Sequence, residues 1–479
     1  MTPPQETAGY RFGRREYWIP TVLFILLTLP NVIYKHFNLW TSCWDLGYHH
    51  QIASCIARFD SWNPVITSLN TTFFADHFAP IFYIVAPLFR LYDSAVMLII
   101  LDTVFTLIGL IALIYLLERQ QVKGRGTRLA FVVGYLFTDF LWSAVFFPSH
   151  PTHWAMAFLM IVLVMYHLRI FRWWYYIGLI LMFACKEEFP FIGLVLGGIL
   201  IWRGERKAGV WTGGISLLWI ILVLFVRPML LPGTNNHGIF LSVLLSDPLS
   251  YWDQWLKFIV RPYQIHGLIL MALLLVGHPF KRNLDIWLLI AVPLSVRLLS
   301  LHPNALEFQY MAIFVPLIIL LYFRSVDEST GRRRKLFILQ LVAVSVISLM
   351  ARGQPLYHPF DPIAYHQKNF DSLHQRLDII EQLNQLNLRI AAPDNWVPHM
   401  TSNPYVSSNY IYFTQYKPRS AYIWVWDPKG NYFPSPYPYE ELKAMVGEVT
   451  PGLFTYLIGD IEIRSKVELN LDGAVRIAP

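Results

Sequence analysis

Charge is scarce in this chain. Only 14% of its 479 residues are Asp, Glu, Lys or Arg, against about a quarter in an ordinary soluble domain. That shortage excludes a disordered or fibrous protein and argues against a water-soluble enzyme of this size. Cysteine is rarer still, with three residues, so one disulfide is the most the chain can form. Cys43 and Cys55 fall in one loop and are the candidate pair; Cys185 lies in an apolar run and reads as inert. In their place stand apolar residues, 55% of the chain, and aromatics, 16%. The remaining charge is uneven. Residues 352–479 hold 11 Lys/Arg and 13 Asp/Glu, which leaves 27 and 18 for residues 1–351. The basic excess therefore belongs to the apolar part, the pattern of membrane topology signals rather than of a nucleic-acid surface.

A bilayer-spanning helix takes roughly 17–25 mostly apolar residues. Runs of that kind recur near 17–34, 94–117, 129–147, 154–170, 210–228, 265–279, 284–300, 309–323 and 335–351. The stretch 173–203 is too long for one span and is cut by Lys186-Glu187-Glu188. It reads as a hairpin of two short helices with the charges at its tip, because each charge at a bilayer centre costs about 2.5–3.5 kcal/mol. The expected fold is therefore mainly α, a polytopic transmembrane helical bundle of about eleven spans over residues 1–351. With the N-terminus in the cytoplasm, the cytoplasmic segments carry 19 cations and the opposite loops 7, an asymmetry that sets the orientation. The first run has no small-residue cleavage site after it and reads as a retained anchor.

Two outer loops are large, 35–93 and 229–264. In the first, Leu46 to Phe59 patterns as an amphipathic helix, and 78–92 as an apolar interfacial segment. Residues 352–479 form a second domain, expected outside the cytoplasm. Helical periodicity runs over 368–388 through Leu373, Leu377, Ile380, Leu383 and Leu386. Strands are expected at 389–392, 422–426 and within 453–463, and a helix at 438–446, giving a small α/β unit. This tail has neither a glycine-rich phosphate loop nor Cys/His metal spacing.

Ionisable groups gather in segments assigned to the outer side: Asp45 followed by His49 and His50; Asp76-His77; His150 and His153; Lys186-Glu187-Glu188; and His302 to Tyr310, with Glu307. Juxtamembrane charges are costly and are functional candidates by default. The simplest arrangement is one cavity at the outer face. Each group also has a plain structural reading. Asp45 would cap the helix that follows, Asp76-His77 would be a turn, and His150 and His153 would be interfacial residues beside Trp154. Lys186 would pair with a neighbouring glutamate, Glu307 would neutralise Arg297, and His49 and His50 would sit at the surface. Shared sidedness favours the functional reading.

Such a cavity suits a polyprenyl-linked sugar whose tail lies in the bilayer. Transfer to an acceptor hydroxyl needs a carboxylate base; Asp45 is the candidate, with Glu187 as the second catalytic carboxylate. The departing lipid phosphate needs cations or a metal. Lys186, Arg261 and His77 are candidates, with His150 and Glu307 as further substrate contacts. Asp76 and His77 with a second carboxylate would hold a divalent ion, Mg or Mn, although oxygen ligands with one histidine are a weak metal signature.

These residues carry a resemblance. The run of Asp45, Asp76-His77-Phe78 with Pro80, His150-Pro151, Lys186-Glu187, Val397-Pro398-His399, Ile411-Tyr412-Phe413 and a strand ending at Asp427 resembles a domain-of-unknown-function family of bacterial and archaeal polytopic membrane proteins. That family is grouped with the C-type (GT-C) glycosyltransferases. The resemblance covers about residues 40 to 430, and the order and spacing of the motifs carry it. Ser149 stands where the family usually has Phe, and Glu188 where it usually has Asp. The resemblance implies a GT-C-like membrane core with a long first outer loop bearing juxtamembrane helices. It also implies a polyprenyl-phosphate sugar donor and a catalytic carboxylate in the first outer loop, where Asp45 stands. The leading expectation is a membrane glycosyltransferase acting at the outer face, with membrane lipid but no nucleic acid among its partners and an acceptor that the residues do not name. The competing readings are a lipid or small-molecule transporter or flippase, which matched broken helices in inverted repeats would favour, and a non-catalytic scaffold.

Overall fold

The computed structural model describes residues 14–39, 41, 43–66, 71–231, 247–299, 306, 308–351, 361–386, 388–400, 403, 406–408, 422–428, 444 and 453–478. A helix stands at every apolar segment expected to span. They are Arg15–Phe37, Ala95–Arg119, Arg125–Leu136 with Asp139–Val145, Pro151–His167, Trp173–Cys185, Phe189–Trp202, Arg206–Leu230, Pro262–Leu275, Leu284–Leu299, Phe314–Asp327 and Gly331–Ala351. Among the described residues three of these are long and apolar enough to cross a membrane: Arg15–Phe37, Ala95–Arg119 and Arg206–Leu230. There are five if each bent pair is one span, the pairs being Arg125–Leu136 with Asp139–Val145, bent by 42°, and Pro248–Ile259 with Gln264–Leu275, bent by 73°. At the first bend Trp142 donates its indole N–H to the Leu136 carbonyl at 2.8 Å, so the acceptor released by the broken turn is satisfied inside the protein.

The hairpin expected at 173–203 is present. Helix Trp173–Cys185 gives way to Lys186-Glu187-Glu188, and Phe189–Trp202 follows. The second arm packs closely on the helix that begins at Arg206. A Cβ on Gly197 would come within 2.7 Å of the Gly213 backbone nitrogen. Small residues are what allow two helix backbones to approach this far.

Internal contacts divide the chain into two units. The first comprises Met1–Pro30, Leu101–Leu230 and Asn235–Tyr357, and the second Asn31–Ile100, Leu231–Thr234 and His358–Pro479. The sequence alone predicts a boundary at 351/352. The contacts group the 35–93 loop with the tail, because backbone groups of each are hydrogen-bonded by side chains of the other. Gln51 Nε2 donates to the Val406 carbonyl at 2.9 Å, and Asn395 Nδ2 to the Leu39 carbonyl at 2.8 Å.

Within the second unit the expected helices form at Tyr48–Ala57 and Ile81–Val85, the latter running into a 3₁₀ turn at Ala86–Arg90. A short antiparallel ladder pairs β1 (Val65–Ile66) with β2 (Thr71–Thr72). The tail strands are β3 (Ile390–Ala392), β4 (Val406–Ser408), β5 (Ile423–Trp426), β6 (Phe454–Ile458), β7 (Ile461–Ser465) and β8 (Val475–Ala478). They form one mixed sheet in the order β4-β3-β5-β7-β6-β8. β3 is parallel to both neighbours, and the remaining pairs are antiparallel. Helix Asp361–Asn384 buries Leu373, Ile380 and Leu383 in the same core as Ile390, Ile423, Val425 and Ile463. The predicted period placed those residues correctly. The helix expected at 438–446 lies, apart from residue 444, outside the described residues.

Candidate functional site

In the first unit the polar groups are organised by a residue in the middle of an apolar run. Asp102 is buried in the helix Ala95–Arg119. Its carboxylate accepts the Ser149 backbone N–H and the Trp154 indole N–H, both at 2.6 Å. Beside it His153 Nε2 meets the Thr106 hydroxyl at 2.8 Å. His150 and His153, for which an interfacial position is the structural alternative, are both buried. Ser149 has φ +73°, a left-handed conformation costly for a residue with a Cβ, and the Asp102 bond helps to hold it. The turn aims His150 at the start of the helix Pro151–His167. Its Nδ1 accepts the Thr152 N–H at 3.1 Å, and Pro151 takes the first helical position, where a missing N–H costs nothing. With Nδ1 accepting, a neutral His150 carries its proton on Nε2 and is a donor there.

Tyr310 is the hub of this cluster. The His150 ring meets it edge-on with centroids 5.4 Å apart. Lys186 Nζ lies 4.9 Å and Arg297 Cζ 4.5 Å from the ring centre. Both cations are buried, and such contacts strengthen when desolvated. Arg297 also pairs with Glu188, and the charge of Glu187 acts on it. Glu307, whose structural alternative is to neutralise Arg297, lies outside the described residues. Arg261 is exposed at the start of Pro262–Leu275.

Asp45, Asp76 and His77 belong to the second unit. Asp45 sits in a π turn, Cys43–Gly47, with φ +63°. It does not cap the next helix, whose N-cap position is Gly47. Instead it is buried and accepts the Tyr48 hydroxyl at 2.7 Å. Asp76 Oδ2 and His77 Nε2 are 3.6 Å apart. Their turn is fastened by Phe74 N–H on the Asn63 side chain at 2.9 Å and by Phe73 N–H on the Pro64 carbonyl at 2.8 Å. His49 and His50, expected at the surface, are buried. His49 stacks on Phe82 at 5.0 Å, and His50 Nε2 meets Asp93 at 2.8 Å. Burial pushes the His50 imidazole below its ordinary value against the opposing pull of Asp93. Burial works upward on Asp93, but the hydrogen bonds of His50 and Ser54 and the charges of His50 and Arg58 hold it below the usual carboxylate range. Cys55 is a free cysteine, not half of a disulfide.

The structure thus brings His150, Lys186 and Arg297 to one ring, with Glu188 on Arg297, and Asp76 to His77. Sequence reasoning missed Asp102, although a signal existed: it is the one charged residue in the run 94–117, and such a residue in a span is a functional candidate. Among the described residues no three His, Cys, Asp or Glu side chains form a group able to hold a metal ion. The described neighbours of Asp76 and His77 do not complete a ligand set.

A family described as "Predicted membrane protein (DUF2079)" matches residues 35–437. The chain belongs to this family. Among solved structures, the crystal structure of ArnT from Cupriavidus metallidurans bound to undecaprenyl phosphate matches with a TM-score of 0.54 at 11% identity, over 95% of this chain and 99% of that one. At that identity the likeness is one of fold. The protein is therefore an integral membrane protein with a GT-C-like architecture, as the motif order implied. No curated protein matches it.

Proposed function

We propose that this family member is a membrane glycosyltransferase that moves a sugar from a polyprenyl-phosphate donor to an acceptor hydroxyl at the outer face of the plasma or inner membrane. The observation that carries the reading is the buried pair of cations, Lys186 and Arg297, on the Tyr310 ring, with the His150 ring packed against it. Preset donors in a water-poor site stabilise a leaving phosphate far better than solvent does. A matching fold has been solved holding a polyprenyl phosphate, which fits that class of donor.

In this reading Asp45 takes the proton of the acceptor hydroxyl. The oxygen attacks the anomeric carbon, the bond from that carbon to the phosphate oxygen breaks, and the electron pair leaves with the lipid phosphate. Lys186 and His150 receive the growing negative charge. Arg297, Glu187 and Glu188 keep the ammonium and the ring in place. Arg261, Glu307 and His77 are assigned to binding the donor and acceptor. The orientation follows from the cation asymmetry, with the N-terminus cytoplasmic and the tail outside.

The test is discharge of a polyprenyl-phosphate sugar by purified protein in nanodiscs, across a panel of sugar headgroups. Wild type should release polyprenyl phosphate from at least one of them. Asp45→Asn should still bind undecaprenyl phosphate but release nothing. Full release by Asp45→Asn would remove Asp45 from the mechanism. Movement of the lipid across the bilayer with no release from any donor would favour the flippase reading.

A further inference from the structure

The first unit has a second polar assembly, at the far end of the helix Pro151–His167 from His150. Asp285 is fully buried on the helix Leu284–Leu299. Its two oxygens take Arg324 NH1 at 2.9 and 2.7 Å, the Tyr166 hydroxyl, and Arg203 NH2 at 3.0 Å. One carboxylate thus fixes two guanidiniums and leaves one positive charge over. Both lie near the Tyr166 ring, 5.7 Å from its centre for Arg203 and 5.5 Å for Arg324. Arg324 Nε also donates to His167 Nδ1 at 3.3 Å.

These guanidiniums line a cavity of about 820 Å³. Its wall also carries Arg119, Arg169 and Arg282. Arg169 meets Glu205 at 3.4 Å and Arg282 meets Glu328 at 3.7 Å, both with largely exposed arginines, and such surface pairs hold weakly. Arg119 pairs with no carboxylate among the described residues. Five arginines against Glu205, Asp327 and Glu328 leave the lining basic, even with Asp285 counted behind it. Exposed tryptophans stand close by in the chain, Trp173 and Trp174 after Phe171, and Trp202 before Arg203. Exposed tryptophan of this kind marks the depth of lipid headgroups.

We propose that this cavity is a binding site for a phosphate-bearing anion, with the phosphate seated on Arg203 and Arg324 and enclosed by Arg119, Arg169 and Arg282. A guanidinium fork matches phosphate geometry bidentately. Here Arg324 is buried and fixed by Asp285 and His167, and Arg203 is anchored on the same carboxylate through one NH2, which lowers the entropy cost of binding. A basic pocket between membrane helices, at headgroup depth, suits an anionic phospholipid; a soluble phosphate offers the same chemistry. The site is separate from the Tyr310 cluster, so its failure would leave the proposed sugar transfer standing.

The experiment follows thermal unfolding of the full chain in neutral detergent, titrated with phosphatidylglycerol, phosphatidylcholine or inorganic phosphate. The variant is Arg119→Gln/Arg169→Gln/Arg282→Gln, which spares the Asp285 core and so keeps the fold. Phosphatidylglycerol, and not phosphatidylcholine, should stabilise the wild type, and the triple variant should need at least about tenfold more lipid for the same shift. A matching, variant-sensitive shift with inorganic phosphate assigns the site to a soluble anion instead. An absent shift in the wild type, or one of undiminished potency in the triple variant, overturns the proposal.

Discussion

The carboxylate of Asp102 accepts the backbone N–H of Ser149 at 2.6 Å across 47 residues of chain. Its other oxygen accepts Trp154, so two buried donors depend on one side chain. Asp102→Asn keeps the shape but leaves one acceptor for two donors. It should cost about 1.5–3 kcal/mol, read as a lowered unfolding temperature in detergent. A variant as stable as wild type would show that the Ser149 conformation needs no such anchor.

Lys186 is held over Tyr310 by attraction to the ring as well as by burial. Lys186→Gln should weaken binding of undecaprenyl phosphate by at least about tenfold, measured by titration in nanodiscs. Lys186→Arg should recover part of the loss, since a guanidinium also sits well on an aromatic face. Equal binding by Lys186→Gln would detach this residue from the phosphate.

The tail sheet is tied to its helix by one buried ion pair. Arg376 Nε and NH2 reach the two Asp427 oxygens, each at 2.7 Å, and Trp396 Nε1 adds a third donor at 3.2 Å. Burial works downward on the Arg376 guanidinium, but Asp427 and Asp460 outweigh it and raise it. Arg376→Ala strands a buried carboxylate, at a cost of about 3–5 kcal/mol. Faster proteolysis of the tail should follow. The exposed pair Arg476–Glu468 is the control, and its disruption should change little.

Acid should loosen the second unit. Burial pushes His399 down to about 4, a hydrogen bond to the His36 backbone opposes this, and the charge of His50 adds to it. The unfolded chain takes that proton near its ordinary value of 6.5. The folded value is the lower one, so the contribution is fully present above pH 6.5 and is lost as pH falls toward 4, by about 1.4 kcal/mol per unit. His50, also lowered, acts in the same direction. Unfolding temperatures between pH 7 and 4 should fall less steeply for His399→Gln than for wild type. Parallel slopes would assign the acid sensitivity elsewhere.

Orientation is checked by labelling. Asp472 is exposed at the end of the tail. Asp472→Cys, in a background without the three native cysteines, should react with a membrane-impermeant maleimide added to intact cells. Protection there, with labelling only after lysis, would invert the topology.

The helices were legible because hydrophobic length and charge breaks are local properties. Lys186-Glu187-Glu188 interrupts an apolar run, and the helices stop on either side of it. The tail periodicity through Leu373, Ile380 and Leu383 likewise needed only the helical repeat. The candidate site was legible as a set of residue types but not as a set of partners. Glu188 meets Arg297, 109 positions away, and His50 is buried against Asp93, 43 positions away. Neither pairing leaves a mark on the spacing of the residues concerned.

The amino-acid order alone determined that this protein enters a membrane, which apolar runs become helices, and which family motifs it carries, since each depends on neighbours within a few turns. Only the tertiary structure decided that Asp102 anchors the turn at Ser149, that His150, Lys186 and Arg297 share the ring of Tyr310, and that Asp285 gathers Arg203 and Arg324. Those contacts join residues separated by tens to more than a hundred positions. A buried charge settles on whichever partner the packed helices bring within reach, because leaving it without one costs several kcal/mol.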